Sequence, residues 1–182
     1  MKGAVLVFIG PSGTGKSALV RELIRERVID LNPSWTDRPR RTHELNGIPE
    51  HRFVNAEEFS RLQGQGFFLE VVEPFGLPHR YGLPPLTQSE SVPAIIVRAP
   101  MMSLVAKHFP LHRTYQIECG LARARARMVE RGDDESEIDA RLAEFEAEAR
   151  LGRLHADRIF LNDRSLEDLV KQVRAALRKD FG

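Results

Sequence analysis

One stretch constrains this chain more than any other: Gly10-Pro11-Ser12-Gly13-Thr14-Gly15-Lys16-Ser17. It satisfies G-x-x-x-x-G-K-[ST] at every fixed position. The context that the motif demands is also present. Ala4-Val5-Leu6-Val7-Phe8-Ile9 is a continuous apolar run rich in branched residues, which reads as a strand buried on both faces of a parallel sheet. Leu19, Leu23 and Ile24 then recur at helical spacing, so a helix starts near Lys16. Glycines in such a loop let successive backbone N–H groups turn toward phosphate oxygens, and the helix adds the positive end of its dipole. Lys16 is placed to reach the β- and γ-phosphates, and the Ser17 hydroxyl to ligate Mg²⁺. Triphosphate binding by Gly10, Pro11, Ser12, Gly13, Thr14, Gly15, Lys16 and Ser17 is the first expectation.

Strand and helix patterns alternate along the rest of the chain. Strands are expected at 67–72, 94–97, 114–118 and 158–161. Helices are expected from Asn55, over 101–109 and 121–131, from a Ser136 cap through Ala149, and from Ser165 onward. Residues 30–53 carry Pro33, Pro39 and Pro49 and read as irregular or edge strand; 74–85 reads as a loop. The fold class is therefore α/β with a mostly parallel sheet flanked by helices. No internal repeat or long linker divides the chain.

Composition closes off other classes. Lys+Arg number 27 and Asp+Glu 26, a net charge of +1, which gives no global pull toward nucleic acid or an anionic membrane. No apolar run reaches the 18 residues of a membrane span. Cys119 is the single cysteine, so neither an internal disulfide framework nor a cysteine-rich zinc site is available, and a reducing cytoplasm is the expected compartment. It reads as a packing residue. Any anion binding must come from local clusters. Arg38, Arg40 and Arg41, on a proline-stiffened segment, read either as an anion clamp or as a solvated basic loop. His79-Arg80 reads as a solvated loop pair, and Trp35 as a hydrophobic anchor.

The pattern Ser34-x-Thr36-x-Arg38-x-x-Arg41-x-x-Glu44-x-Asn46-Gly47, with the glycine loop before it, resembles the guanylate kinase family. The resemblance continues through Phe53-Val54, Glu57-Glu58-Phe59, Phe68-Leu69-Glu70, Tyr81-Gly82, Arg127-x-x-x-Arg131-Gly132, Arg141-Leu142 and Asn162-Asp163, in order along nearly the whole chain. It implies a P-loop kinase fold in a single domain: a core of residues 1–32, 91–124 and 153–182, a monophosphate-binding lobe at about 33–90 and a small lid at about 125–152. It implies transfer of the γ-phosphate of ATP, with Mg²⁺, to the phosphate of GMP or a similar nucleoside monophosphate, in a monomer or homodimer that needs neither nucleic acid nor membrane. Ser34, Arg38, Arg41 and Tyr81 would hold the acceptor phosphate and Glu70 a guanine edge. Arg127, Arg131 and Arg141 would reach the ATP phosphates or the transferring group, and Asn162 would lie near the adenine. The catalytic set is then Lys16, Arg38, Arg127, Arg131 and Arg141.

Three places depart from the family pattern, and the lid loop after Gly132 is also one residue short of it. Leu83 stands where a small hydroxyl residue follows the Tyr-Gly pair. His51 stands near where a tyrosine is usual. The segment Ile96-Val97-Arg98-Ala99-Pro100-Met101 lacks the acidic residues of its counterpart. Arg98 is therefore a candidate for a second anionic group on the acceptor, which points to an alternative activity of the ribose 1,5-bisphosphate phosphokinase type. A catalytically weak binding module is a third reading, against which Lys16 and Ser17 stand intact. Asp37 and Glu118 are the remaining candidates to support Mg²⁺.

Overall fold

A computed structural model of the chain describes residues 4–40, 44, 50–73 and 79–182. The chain divides into two compact units, residues 1–31 with 89–182, and residues 32–88. The elements run β1 (Val5–Ile9), α1 (Lys16–Arg25), β2 (Ile29–Leu31), β3 (Ser34–Thr36), β4 (His51–Phe53), α2 (Ala56–Gly64), β5 (Glu70–Val72) and β6 (Tyr81–Leu83). They continue as β7 (Val92–Ile96), α3 (Met102–His108), β8 (His112–Glu118), α4 (Leu121–Glu130), α5 (Glu135–Ala143), α6 (Phe145–His155), β9 (Arg158–Leu161) and α7 (Leu166–Phe181).

The larger unit is built on a five-stranded sheet in the order β2-β7-β1-β8-β9, parallel throughout. β1 is its centre, and all five of its residues are buried, as a strand covered on both faces must be. Leu6 and Phe8 alternate onto one face with Tyr115, Ile117 and Phe160. That face packs against Leu19 and Leu23 of α1 and Leu169 and Val173 of α7. Each such side chain contributes about 1.5–3 kcal/mol on burial. The opposite face carries Gln116 beside Ile9, and Gly152 of α6 approaches so closely that any side chain there would collide with Gln116. Cys119, Ala124, Met128, Ile138 and Phe145 form a separate small core joining α4, α5 and α6.

The smaller unit is a four-stranded sheet in the order β4-β3-β6-β5, with β3 and β4 parallel and the other pairs antiparallel. Its register sorts the side chains. Ser34, His51, Tyr81, Leu83 and Glu70 share one face; Trp35, Arg52, Gly82 and Val71 share the other. The second face packs on α2 through an aromatic layer. Phe59 stacks on Phe68 at 4.7 Å between centroids, and Trp35 meets Phe67 edge-on at 5.1 Å. Gly82 admits Phe68, since a Cβ there would lie 2.5 Å from the phenyl ring.

Several elements differ from the sequence expectation. The strand expected at 67–72 spans only Glu70–Val72, because Phe67 and Phe68 turn into the aromatic layer. The loop expected at 74–85 contains β6, which is paired on both sides. The helix expected from Ser136 to Ala149 begins after Asp134 and breaks at Glu144 into α5 and α6. Apolar spacing runs on through Ile138, Leu142, Phe145 and Ala149, so periodicity alone does not register the break. The caps at Asn55 and Ser165 stand as read: each accepts the backbone N–H of the third residue on, Glu58 and Asp168.

Candidate functional site: a phosphate loop and an acceptor face

The glycine loop leaves the C-terminal end of β1, the central strand of its sheet, and enters α1. Gly13 and Gly15 take φ of +79° and +95°, a region that side chains disfavour. A Cβ on Gly13 would also lie 2.6 Å from the Ala124 carbonyl, so the loop is seated closely on α4. Its carbonyls are held from outside. Lys16 Nζ donates to the carbonyls of Gly10 at 2.5 Å and Pro11 at 2.8 Å, and the buried Thr14 hydroxyl donates to Pro11 at 2.9 Å. Arg127 donates to the carbonyls of Thr14 at 3.2 Å and Gly13 at 3.4 Å. Asn162 Nδ2 donates to Thr14 at 2.8 Å. Cys119 Sγ points at the Gly13 carbonyl from 3.9 Å, and burial pushes its thiol up, which keeps it a donor. Ser17 sits half-buried in the first turn of α1.

The acceptor residues expected from sequence are gathered by the small sheet. Ser34 Oγ and His51 Nδ1 lie 2.7 Å apart on β3 and β4, and the His51 ring meets the Tyr81 ring edge-on at 5.4 Å. Arg38 follows β3. Its Nε donates to the Tyr81 hydroxyl at 2.8 Å, and its terminal nitrogens hold both carboxylate oxygens of Glu44, at 2.7 and 2.5 Å. Only 6 % of Arg38 is exposed. Burial alone would lower its pKa, but Glu44 and the Tyr81 oxygen outweigh this and hold it above the ordinary value. Glu70 lies on β5 directly across from Leu83 on β6. Arg41 lies outside the described residues.

Of the arginines expected to reach the ATP phosphates from the lid side, Arg127 lies on α4 and donates to the phosphate loop. Arg131 and Arg141 converge on the Asp133 carboxylate, whose side chain is fully buried; Arg141 reaches it at 2.7 Å and also holds Glu137 at 2.8 Å. Sequence reading did not find Asp133, although a carboxylate two residues after Arg131 and eight before Arg141 was visible.

Nor did it find the importance of Arg80. Its backbone N–H and its Nε grip the two oxygens of Asp37, at 2.8 and 2.7 Å. Its other nitrogens reach the Ala56 carbonyl and the Ser60 hydroxyl, and the guanidinium lies 4.6 Å over the Phe59 ring. The solvated pair expected at His79-Arg80 is thus corrected, since Arg80 ties β3 to α2. Burial alone would raise the Asp37 carboxyl, but hydrogen bonds from Arg80 hold it below the usual range.

The larger unit carries the glycine loop, and the smaller unit gathers Ser34, His51, Tyr81 and Glu70 on one face of its sheet. No family model matches the chain. Relatives do. The guanylate kinase of Alkalilimnicola ehrlichii is 33% identical, over 93% of this chain and 87% of its own length. That of Symbiobacterium thermophilum is 32% identical, over 97% and 85%. The chain belongs to the guanylate kinase family. In fold it resembles the crystal structure of the guanylate kinase from Anaplasma phagocytophilum, with a TM-score of 0.70 at 20% identity, covering 99% of this chain and 87% of that one.

Against the guanylate kinase pattern, the three departures have distinct surroundings. Leu83 is 4 % exposed and puts an apolar group beside Glu70. His51 keeps a polar partner in Ser34. Arg98 follows β7, in the unit that holds the phosphate loop. Its guanidinium binds Glu144 at 2.5 Å and Glu148 at 3.3 Å, so two carboxylates take the role expected of a second acceptor anion. The two acidic candidates for Mg²⁺ are also engaged: Asp37 by Arg80, and Glu118 by Arg153 at 2.7 Å on both oxygens and by Gln116 at 2.5 Å. Among the described residues, no group of three His, Cys, Asp or Glu side chains is placed to hold a metal. The donor set therefore fits Mg²⁺ brought with a nucleotide, which takes most of its ligands from phosphate and water and needs one hydroxyl such as Ser17.

Proposed function

We propose that this member of the guanylate kinase family moves the γ-phosphoryl group of ATP to the phosphate of GMP. The observation that carries the reading is the acceptor face, where four strands bring Ser34, His51, Tyr81 and Glu70 together with the Arg38 guanidinium. A phosphate acceptor is already anionic, so no general base is required. The protein has to suppress repulsion between two anions and align them. Arg38, Ser34, His51 and Tyr81 orient the acceptor phosphate, Arg41 being the further candidate. Glu70 receives the N–H donors of the guanine edge. On the donor side the loop N–H groups and Lys16 hold the triphosphate, and Ser17 would hold Mg²⁺, which would supply neutralisation of phosphate charge. Arg131 and Arg141, held by Asp133, and Arg127, held by the loop carbonyls, are the cations that would stabilise charge on the transferring group by exchanging or sharing these partners.

The sugar bisphosphate alternative drew on Arg98 and on the departures at Leu83 and 97–99; the pairing of Arg98 with Glu144 and Glu148 favours GMP over it. No described helix is long and apolar enough to cross a membrane, and a chain with one cysteine suits a reducing cytoplasm. The test is ADP release from MgATP with GMP, dGMP, AMP, CMP, UMP and ribose 1,5-bisphosphate in parallel, with Lys16→Ala as the blank. Turnover with GMP in preference to the rest is expected. Turnover with the sugar bisphosphate alone would replace this reading.

A further inference from the structure

The family resemblance places Asn162 near the adenine. The geometry points elsewhere: we propose that Asn162 is a positioning residue for the phosphate loop, acting through the Thr14 carbonyl, with Arg127 as its partner. This rests on the reading of Gly10–Ser17 as a triphosphate cradle. A peptide unit is planar and trans, so its C=O and the N–H of the following residue point in opposite directions. Whatever grips the Thr14 carbonyl from outside therefore aims the Gly15 N–H inward. Asn162 Nδ2 grips it at 2.8 Å and Arg127 at 3.2 Å. The Gly13 carbonyl, held by Arg127 and Cys119, aims the Thr14 N–H in the same way. Inward-facing N–H groups of successive residues are what make an anion site of a backbone turn.

Asn162 is suited to this role by its anchorage. Its own N–H donates to the Glu118 carbonyl at 2.7 Å, continuing the pairing of β9 with β8. Its carbonyl accepts from Arg127 at 3.3 Å. Only 3 % of the residue is exposed, and its Oδ1 has no hydrogen-bond partner among the described residues. The side chain is thus placed for its donor, and the donor is spent on the loop. Any side chain on Gly15 would collide with it, which shows how closely the two fit. Asn162 thus ties the loop to β8 and β9, and a cradle held this way spends less ordering cost on the nucleotide.

A base reader and a loop brace predict different losses. ATP, UTP and inorganic tripolyphosphate, each with Mg²⁺, are titrated by calorimetry into the parent chain, Asn162→Ala and Asn162→Asp, with thermal midpoints recorded. Asn162→Asp keeps the shape but cannot donate to the Thr14 carbonyl, so it serves even where the smaller residue unsettles the fold. All three ligands are expected to weaken by a common factor, about fivefold for Asn162→Ala and about tenfold or more for Asn162→Asp. A loss confined to ATP overturns the brace and returns Asn162 to the base. Unchanged affinities with a lowered melting point overturn it too, leaving a purely structural residue. A parent chain that binds none of the three, and so matches Lys16→Ala, overturns the functional reading and the brace together.

Discussion

Ser34 Oγ lies 2.7 Å from His51 Nδ1, across the only parallel strand pair described in the small sheet. The two residues are separated by 17 positions, yet they meet on the face that also carries Tyr81 and Glu70. On the proposed function, the imidazole here would give the acceptor phosphate a nitrogen donor in place of a phenol. It also holds the Ser34 hydroxyl in one orientation. His51→Ala is expected to raise KM for GMP about fivefold to tenfold, the effect of one lost hydrogen bond and a loosened partner, with KM for ATP unchanged. Steady-state kinetics at saturating ATP check this, and an unaltered acceptor KM would remove His51 from the site.

Arg38 touches Tyr81, Glu44 and the Pro39 carbonyl at once, which only a planar fork with several donors achieves. Lysine keeps the charge and loses the fork. Arg38→Lys is expected to lower kcat/KM for GMP about 100-fold, with nucleotide affinity in the phosphate loop preserved. Equal losses toward GMP and ATP would mean that the substitution disturbs the protein at large.

Gly82 has no room for a methyl group, because Phe68 fills the space. Gly82→Ala is expected to destabilise the acceptor lobe by about 1–3 kcal/mol through overpacking of the aromatic layer. Urea denaturation followed by Trp35 fluorescence reports on that layer directly. A midpoint equal to the parent's would show that Phe68 swings aside without strain.

Asp180, on α7, binds Arg158 at 2.5 and 2.7 Å and accepts from Tyr115 at 2.6 Å. Arg158 is the main cause that holds this carboxyl down, at about 2, from an ordinary 3.8; burial works in the opposite direction. A depressed carboxyl stabilises the fold above its unfolded pKa and loses that contribution as the pH falls through the folded one. The window is therefore about pH 4 down to about pH 2. Asp180→Asn is expected to lower stability at neutral pH by about 1–2 kcal/mol, with the gap to the parent narrowing across that window. A gap that stays constant from pH 5 to pH 2 would contradict this ion pair as its source.

The phosphate loop was legible because its residues are consecutive and its chemistry is backbone chemistry. Four strands of the parallel sheet were legible for a related reason: buried strands such as Val5–Ile9 are apolar throughout, whereas the edge strand β2 has three residues and a central Asp30. The acceptor face was legible only through the family resemblance. Its strands are three residues long, too short for a period of two to show, and β6 lies within a segment rich in glycine and proline. Arg80 was misread because its partner Asp37 lies 43 residues earlier and comes beside it only when β3 and β6 pair. For Arg127 and Asn162 the resemblance implied places at the nucleotide, while their grip on the Thr14 carbonyl is invisible in sequence because it spans 113 and 148 positions. The break at Glu144 was missed because the apolar spacing of Ile138, Leu142, Phe145 and Ala149 runs on through it.

The two faces of the small sheet have separate duties. One holds Trp35, Gly82 and the phenyl rings that keep the lobe folded; the other holds Ser34, His51, Tyr81, Leu83 and Glu70. With three residues to a strand, each strand offers the outer face one or two side chains. On the proposed function, a substitution on this face is expected to change what the lobe recognises without entering the aromatic layer. Leu83 and His51 are the two positions on it that depart from the guanylate kinase pattern. Acceptor choice and the folding of the lobe then answer to different side chains.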